Sequence, residues 1–333
     1  MPTMADVARK ADVSIMTVSR VINNTGYVKA ATRQRVLQAM QEVGYEPKSA
    51  ASPLVQTSTL VLVVPDITNP FFTFIARGME DVARKHGFRM LLANTDESLE
   101  KEREYMQMCL DYRIAGVLIV PVGDPSVANL RLLEQHHIPF VLIDRDVEGV
   151  DTDLVKGDMR PTSAKLVEHL IELGHRRIAA VVGPLHNAAS RERLDGYKDA
   201  LTRHGIPIHD DMIFQASMTR DMDVSFVEAL FTAAKPPTAM FVSNMFQYAH
   251  IVRALHHFGI RVPDDVSIVS FGNTDDLASV DSILTAAVQP TYNFGSLGAQ
   301  LLLERIDGVR KMSTRIVLNS EIVFRASTAP PRP

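Results

Sequence analysis

The chain has 333 residues, of which 46% are hydrophobic and 22% charged, and its formal net charge is −4. This length exceeds one ordinary domain and predicts two or three domains of about 100 to 200 residues each. The composition excludes a disordered chain, and apolar runs such as residues 60–64 are too short for a membrane-spanning helix.

Basic residues are concentrated near the N-terminus. Residues 1–48 carry seven Lys or Arg side chains against four Asp or Glu, a balance of +3, so the rest of the chain carries −7. A basic head on an acidic body concentrates the attraction for phosphate groups at one end. An ordinary solvated face gives a similar count, so the charge supports nucleic-acid binding only together with a motif.

The segment 3–24 predicts two short helices that meet at a sharp turn, as in a helix-turn-helix. Ser14 can cap the second helix through its side-chain oxygen, which leaves the following residues on an exposed face that fits a DNA major groove. Asp12 stands in the turn, where aspartate tolerates a left-handed backbone better than most residues do. Apolar residues recur at helical spacing in both halves, namely Met4, Val7, Ala8, Ala11, Val18, Val21 and Ile22.

Two patterns in this region carry a resemblance to a known family. Residues 6–23 read D-V-A-x-x-A-x-V-S-x-x-T-V-S-R-V-x-N, and residues 32–47 read T-R-x-x-V-x-x-A-x-x-x-x-G-Y-x-P. The chain resembles the lac-repressor (LacI/GalR) family of bacterial transcription regulators. This resemblance implies a repressor that binds double-stranded operator DNA through Ser14, Ile15, Met16, Thr17, Ser19, Arg20, Asn23, Tyr27 and Leu54.

The implied DNA contacts divide into those that position the protein and those that read the sequence. An arginine can bond a guanine through two hydrogen bonds, whereas aliphatic side chains offer only apolar contact, for example to a thymine methyl group. The resemblance assigns base edges to Ile15, Met16 and Arg20, and phosphates to Thr17, Ser19 and Asn23.

Residues 47–58 are mostly small and polar and predict a linker. In the family this segment forms a hinge helix on DNA, and Leu54 matches the leucine that wedges into the minor groove and bends the duplex. Pro53 departs from the pattern, because proline inside a helix costs about 3 kcal/mol unless it lies in the first turn. We expect a short or weak hinge helix, with a plain disordered linker as the alternative.

From residue 59 onward, apolar strand-like runs alternate with amphipathic helices in two successive series. TLVLVVP (59–65) and PFVLID (139–144) are typical of the first series, and VSIVSFG (266–272) of the second. This alternation predicts an α/β body with two parallel sheets and helices on both faces. Ligands bind at the carboxyl ends of such strands, so two facing lobes would form a binding cleft.

The body also resembles this family and the wider periplasmic sugar-binding-protein fold. The matching pieces are V-P-D-I-T-N-P-F-F (64–72), H-L-I-E-L-G-H-R-R-I (169–178), R-x-x-G-Y (193–197) and G-I-R-V-P-D-D-V-S-I-V-S-F (259–271). The implied fold class is an all-α helix-turn-helix head followed by two doubly wound parallel-sheet lobes of periplasmic-binding-protein type.

This fold sets the expected domain boundaries. The C-terminal tail carries no leucine heptads, so we expect a homodimer without a helical tetramerisation tail. The expected boundaries are a head at 1–46, a hinge or linker at 47–58, and an effector-binding and dimerisation body at 59–333, with lobe 1 at 59–158 and 290–314 and lobe 2 at 159–289 and 315–326.

The resemblance also implies a set of effector contacts. Arg193, in R-x-x-G-Y, matches the family's effector-binding arginine, whose fork bonds neighbouring hydroxyls or a carboxylate. The alternative is an ordinary salt bridge from Arg193 to Asp195 or Glu192. The implied set places two aromatic rings against the ligand and polar groups around it, and consists of Asp66, Asn69, Phe71, Phe72, Arg193, Asn244 and Asn273.

Two departures from the family bear on the effector. Sugar-binding members usually have an aspartate where this chain has Gly272 and Asn273, and often have one after the asparagine where it has Met245. With those aspartates missing and Arg193 unopposed, we hypothesise an anionic effector, either a sugar acid or a phosphorylated sugar. A neutral sugar held by Asn244, Asn273 and Arg193 is the alternative.

Other classes of function have little support. The phosphate-binding pattern G-x-x-x-x-G-K-[ST], the dinucleotide pattern G-x-G-x-x-G, H-E-x-x-H and G-x-S-x-G are all missing, so we expect neither an enzyme nor a cofactor or metal. A solute-binding protein without DNA function is a less favoured alternative. The N-terminus lacks a continuous apolar stretch and Cys109 is the single cysteine, so we expect a cytoplasmic protein.

Overall fold

The computed structural model describes residues 2–22, 28–45, 57–218, 222–272 and 283–332. The chain divides into two compact units, Met1–Thr57 and Ser58–Pro333, which we describe separately. Some residues discussed above lie outside the described residues, namely Asn23, Tyr27, Pro53, Leu54 and Asn273.

The first unit contains helices α1 (Met4–Ala11), α2 (Ile15–Ile22) and α3 (Ala30–Val43). Thr3 caps α1 through a reciprocal pair of hydrogen bonds with Asp6, which satisfies backbone donors at the helix start. Asp12 ends α1 in the left-handed conformation, with a φ of 51°. The predicted helix-turn-helix is therefore confirmed, and its three helices share a small core built around Val7, Val18 and Val36.

The second unit is built of twelve strands and eight helices within the described residues. The strands are β1 (Thr59–Val64), β2 (Arg89–Asn94), β3 (Gly116–Ile119), β4 (Phe140–Ile143), β5 (Asp153–Gly157), β6 (Ile178–Val182), β7 (Ile213–Gln215), β8 (Ala239–Val242), β9 (Ser267–Phe271), β10 (Thr285–Val288), β11 (Arg315–Leu318) and β12 (Glu321–Val323). The helices are α4 (Pro70–Lys85), α5 (Leu99–Asp111), α6 (Val127–Gln135), α7 (Met159–Glu172), α8 (Ala188–Arg203), α9 (Ser225–Thr232), α10 (Met245–His257) and α11 (Thr291–Ile306).

These strands form two six-stranded sheets, one in each lobe. The first has the order β11-β5-β4-β3-β1-β2 and is parallel throughout. The second has the order β12-β10-β9-β8-β6-β7 and is parallel except for the pair of β10 with β12. The predicted fold class, a helix-turn-helix head followed by two parallel-sheet lobes, is thus confirmed.

The return of the chain near its C-terminus differs from our expectation. We assigned residues 315–326 to lobe 2, but β11 belongs to the first sheet, where Arg315 stands opposite Leu154 of β5. An ion pair between Arg315 and Asp146 fastens the strand, with Nη1 and Oδ2 2.6 Å apart. The chain crosses to lobe 2 only after β11, when β12 pairs antiparallel with β10.

Lobe 1 is layered around β1, whose residues 60–64 are all fully buried. Alternate side chains point to opposite faces of the sheet, so Leu62 packs in the cluster formed by α4 and α11, and Val63 in the cluster formed by α5 and α6. Helices α4 and α11 approach closely at Gly78 and Gly295. A Cβ on Gly295 would lie 1.9 Å from the Ile75 carbonyl oxygen, so a larger residue there would push the helices apart.

Ion pairs join the two lobes on one side of the cleft. Arg191 of α8 donates to both carboxylate oxygens of Asp124, at 2.5 and 3.1 Å, and the Asp124 amide donates to the His186 carbonyl at 2.9 Å. Lys156 of β5 pairs with Glu192 of α8. Among the helices that the structure describes, none combines the length and apolarity needed to cross a membrane.

Candidate DNA-binding and effector sites

The second helix of the head presents an exposed face next to a buried one. The Ser14 hydroxyl oxygen accepts the backbone N–H of Thr17 at 3.1 Å, so the predicted cap is confirmed. Ile15 and Met16 follow with 52% and 65% of their surface exposed. Exposing large apolar side chains to water is unfavourable, so contact with another surface would lower their free energy.

Arg20 is the exposed cation at the far end of this helix. Arg9 pairs with Asp6, and Lys10 pairs with Glu42, whereas Arg20 has no hydrogen bond or ion pair with the residues that the structure describes. Its guanidinium group is therefore available to an external acceptor. Of the remaining predicted DNA contacts, Thr17 and Ser19 are half-buried on the same helix.

A polar cavity lies between the lobes of the second unit, and it brings together every predicted effector residue that the structure describes. Its wall is built largely from residues that follow strand ends, as expected for parallel sheets. Asp66 follows β1, Glu97 follows β2, Asp144 and Arg145 follow β4, Asn244 follows β8 and Gly272 follows β9. The other lining residues are Asn69, Phe71, Phe72, Arg193, Met218, Met245, Phe271 and Gln289.

The loop before α4 supplies the aromatic side of this cavity. Asn69 caps α4, because its Oδ1 accepts the Phe71 backbone N–H at 3.0 Å. The Phe71 ring stands edge-on to Phe72, with centroids 5.1 Å apart. Phe72 lies mainly in the lobe 1 core, so Phe71 offers the more accessible ring. One carboxylate oxygen of Asp66 accepts two hydrogen bonds from Thr68, at 2.6 and 2.8 Å.

Arg193 projects from α8 into the cavity and is only 7% exposed. Its guanidinium carbon lies 4.5 Å from the centroid of the Phe271 ring, in a cation–π contact. It has no hydrogen bond or ion pair with any described residue, and its buried Nε lacks a partner. The alternative of an ordinary salt bridge from Arg193 is therefore not supported, and Glu192 pairs with Lys156 instead.

Asp144 is an important cavity residue that our sequence analysis missed. It is 6% exposed, has a φ of 65°, and its Oδ1 is buried without a partner. Burial raises the pKa of this carboxyl, while the charges of Arg193 and Arg145 oppose that shift. The premise that Arg193 is unopposed is therefore wrong, because a buried carboxyl faces the same cavity. The signal lay in the sequence, since Asp144 directly follows the buried strand FVLI.

An ion pair between Arg145 and Glu97 also lines the cavity. Arg145 donates to both carboxylate oxygens of Glu97, at 2.7 and 2.8 Å, and also to the carbonyl oxygens of Pro121 and Val122 at 2.9 and 3.1 Å. Burial lowers the pKa of Arg145, but the charge and hydrogen bonds of Glu97 outweigh it and raise the pKa overall. Glu97 balances the charge of Arg145, but the buried Arg145 Nε has no hydrogen-bond partner among the described residues and lies 4.0 Å from Asp144 Oδ2.

Four buried polar atoms of the cavity residues lack hydrogen-bond partners within the described residues. Asp144 Oδ1 is an acceptor, whereas Arg145 Nε, Arg193 Nε and Asn244 Nδ2 are donors. A hydroxyl group can both donate and accept, so a hydroxylated ligand matches this mixed set. A carboxylate or phosphate accepts from the three donors but meets the Asp144 acceptor unfavourably.

The described residues contain no metal-binding arrangement. No group of three or more His, Cys, Asp or Glu side chains there is placed to hold a metal ion. Cys109 is buried, and burial raises the pKa of its thiol to about 12, so it is not a nucleophile at neutral pH.

Comparison with known proteins gives a consistent result. Residues 3–48 match the family described as "Bacterial regulatory proteins, lacI family", and residues 167–328 match "Periplasmic binding protein-like domain". The chain is 32% identical over 329 residues to catabolite control protein A of Priestia megaterium, covering 98% of this chain and 99% of that protein. It is 33% identical over 330 residues to the ribose operon repressor of Halalkalibacterium halodurans, covering 98% and 97%.

A solved structure agrees with these relatives. The complex of the transcriptional regulator CelR with cellobiose has a TM-score of 0.74 and 30% sequence identity, and the match covers 98% of this chain and 100% of that one. The similarity therefore extends through the head and both lobes.

Proposed function

This chain belongs to the lacI family of bacterial regulatory proteins and is a DNA-binding transcriptional repressor, and we propose that an uncharged, hydroxylated small molecule such as a sugar controls it. The ligand occupies the polar cavity between the lobes. The alternatives, a sugar acid or a phosphorylated sugar, are outcomes of the test below.

The observation that carries the proposal is the set of unpartnered buried atoms on Asp144, Arg145, Arg193 and Asn244. Each buried donor or acceptor without a partner costs about 1–3 kcal/mol, a cost that a bound ligand's hydrogen bonds offset. The set contains three donors and one acceptor, and a hydroxyl group can form a hydrogen bond with either kind. Arg193 alone would favour an anion, but Asp144 counters it.

Two further observations support a sugar. The half-buried ring of Phe71 offers an apolar surface to the C–H side of a sugar. The similar regulator CelR was solved with cellobiose, an uncharged sugar. An uncharged ligand also leaves the Glu97–Arg145 pair undisturbed.

Ligand binding is coupled to DNA binding through the lobes. Asp144 lies on lobe 1, while Arg193 and Asn244 lie on lobe 2, so one ligand bonded to all three favours one relative position of the lobes. A ligand with different affinity for two conformations shifts their populations. The change passes from the body (59–333) through the linker (47–58) to the head (1–46), which is the coupling that allostery requires.

The assembly is a homodimer that binds operator DNA through two heads. Leu91 and Leu92 on the edge strand β2, and Ile67 nearby in the same lobe, are 44–49% exposed. Exposed apolar groups of this size favour a protein interface. Within each head, Ile15, Met16 and Arg20 read base edges, and Thr17, Ser19 and the N-terminal end of α2 contact phosphates.

A thermal-shift panel tests the ligand class, because a ligand that binds only the native state raises its stability. Glucose, galactose, ribose and cellobiose are compared with glucuronate, galacturonate and glucose 6-phosphate. We expect a shift with at least one uncharged sugar, lost in Arg193→Ala and kept in Arg203→Ala, an exposed position on the same helix. A shift with the anions alone would overturn the uncharged class.

A further inference from the structure

A second, apolar cavity adjoins the polar one between the lobes. The two share five lining residues and are therefore neighbours. The apolar cavity encloses about 200 Å³, against about 60 Å³ for the polar cavity. Its own lining residues are Pro70, Phe74, Phe246, Ala249 and Thr291, and the shared ones are Asn69, Phe71, Met245, Gly272 and Gln289.

The apolar cavity offers a ligand few hydrogen bonds. Its walls come from α4 on lobe 1, through Phe71 and Phe74, and from α10 on lobe 2, through Phe246 and Ala249. The polar side chains in the wall are partly committed elsewhere. Asn69 Oδ1 caps α4, and the buried Gln289 directs its Nε2 towards the sulfur of Met159 at 3.6 Å. A polar group placed here would lose its bonds to water without replacement.

Met245 and Gly272 are two of the five residues that line both cavities. Gly272 has a φ of 140°, and a Cβ at this position would lie 1.9 Å from the Met245 Cγ. Any side chain at residue 272 would displace the methionine. The pair therefore places an uncharged thioether chain on the boundary between the polar and the apolar cavity.

We infer that the effector is amphiphilic, with a hydroxylated part in the polar cavity and an apolar substituent, aromatic or branched aliphatic, in the apolar cavity. A glycoside with an apolar aglycone has this chemistry. The inference rests on the proposed function, since it assumes that the hydroxylated part occupies the polar cavity. It goes beyond that function by assigning the second cavity and the second half of the ligand.

Pairs of glycosides that differ only in the aglycone distinguish the affinity contributed by the hydroxylated part from that contributed by the apolar substituent. Binding of methyl and phenyl glycosides of glucose, galactose and ribose, each as both anomers, is measured by titration calorimetry. Apolar area leaving water contributes binding free energy in proportion to its size, so we expect a phenyl glycoside to bind at least about tenfold tighter than its methyl partner. Equal affinities would overturn the inference.

A cavity-filling variant tests whether the apolar cavity is the source of the tighter binding of phenyl glycosides. Ala249 lines the apolar cavity only and is exposed on α10, so Ala249→Leu fills space without disturbing the core. We expect this variant to bring the phenyl-to-methyl affinity ratio close to one. Arg253→Leu, one turn further along α10 and also exposed, adds the same side chain outside the cavity and keeps the ratio. An unchanged ratio in Ala249→Leu would overturn the assignment of the cavity.

The glycoside titrations distinguish failure of the apolar subsite from failure of the proposed function. If the free sugars and methyl glycosides bind but the phenyl group adds nothing, the apolar subsite is overturned and the proposed function stands. If neither sugars nor glycosides bind, the proposed function fails and the inference fails with it.

Discussion

Arg145 and Glu97 meet in a two-pronged ion pair on the wall of the cleft, with both guanidinium–carboxylate distances at 2.7–2.8 Å. The pair matters because Glu97 balances the charge of one of the two arginines that line the polar cavity, while the Nε of that arginine keeps no hydrogen-bond partner among the described residues. Arg193 is left as the cation without an ion pair among the described lining residues. The cavity therefore combines one available cation with one buried carboxyl, that of Asp144, and this balance distinguishes an uncharged ligand from an anion.

Arg193 should contribute strongly to ligand binding. Hydrogen bonds to charged groups contribute about 1.5–3 kcal/mol, so Arg193→Gln is expected to weaken binding of the effector sugar by roughly 10- to 150-fold. Calorimetric titration gives the two dissociation constants. The matched variant Arg203→Gln, on the exposed side of α8, keeps the wild-type affinity. Equal affinities for wild type and Arg193→Gln would remove Arg193 from the site.

The buried carboxyl of Asp144 should make stability depend on pH. Its folded pKa lies above its ordinary value of 3.8, chiefly because of burial. Such a group stabilises the fold below pH 3.8 and loses this contribution as the pH rises through the raised pKa. Asp144→Asn cannot ionise and therefore does not lose stability in this way. The melting temperature of the variant should rise relative to that of wild type as the pH increases from about 4. A difference that stays constant with pH would contradict a buried ionising carboxyl.

Sequence patterns predicted the elements of this fold well because their causes are local. The cap at Ser14, the left-handed turn at Asp12 and the apolar runs of β1 and β4 each depend on a few consecutive residues. The assignment of residues 315–326 failed at β11, because β11 joins the first sheet through pairing with β5, a partner distant in sequence. Local pattern carries no information about which of two sheets accepts a late strand.

The site could be predicted only in part, because some of its features depend on contacts between residues distant in sequence. Phe71, Arg193 and Asn244 could be assigned by resemblance, whereas the surroundings of Arg193 could not. The charge balance of the cavity depends on Asp144 and on the Glu97–Arg145 pair, which tertiary packing brings together. Our sequence-based hypothesis of an anionic effector rested on aspartates missing from two positions, and it did not count an aspartate contributed by the other lobe.

A buried glutamate should be essential to the stability of lobe 1. Glu102 is fully buried and accepts hydrogen bonds from the Val122 N–H, Ser126 Oγ and Asn129 Nδ2 at 2.9–3.0 Å. Removing it leaves three donors unsatisfied, so Glu102→Ala is expected to lower the free energy of unfolding by about 3–5 kcal/mol.

Urea denaturation measures this loss. Glu100→Ala, two residues earlier in α5 and exposed, serves as the matched control and should change the free energy of unfolding by less than about 0.5 kcal/mol. Similar small effects for both variants would show that the buried carboxylate is dispensable.

The exposed arginine of α2 should specify one base in the operator. An arginine bonded to guanine contributes about 1–3 kcal/mol of discrimination, so Arg20→Ala should weaken binding to the preferred site by roughly 5- to 150-fold. The preferred site is selected from random duplexes with the wild-type protein, and affinities are measured by fluorescence anisotropy at a fixed salt concentration.

Single base substitutions in the operator distinguish a base contact of Arg20 from a phosphate contact. If Arg20 reads a base, the variant no longer distinguishes one position of the site, while its relative affinities at other positions stay as in wild type. A uniform loss over all sequences would assign Arg20 to a phosphate instead.

We propose that a ligand in the interlobe cleft controls operator binding. The most direct measurement is the fluorescence anisotropy of a labelled operator duplex, titrated with protein in the presence and absence of the uncharged sugar that gives the largest thermal shift. We predict that this sugar changes the operator affinity of wild type at least about fivefold and has no effect on Arg193→Ala at the same concentration. An equal response in both proteins, or none in wild type, would contradict control through this cleft.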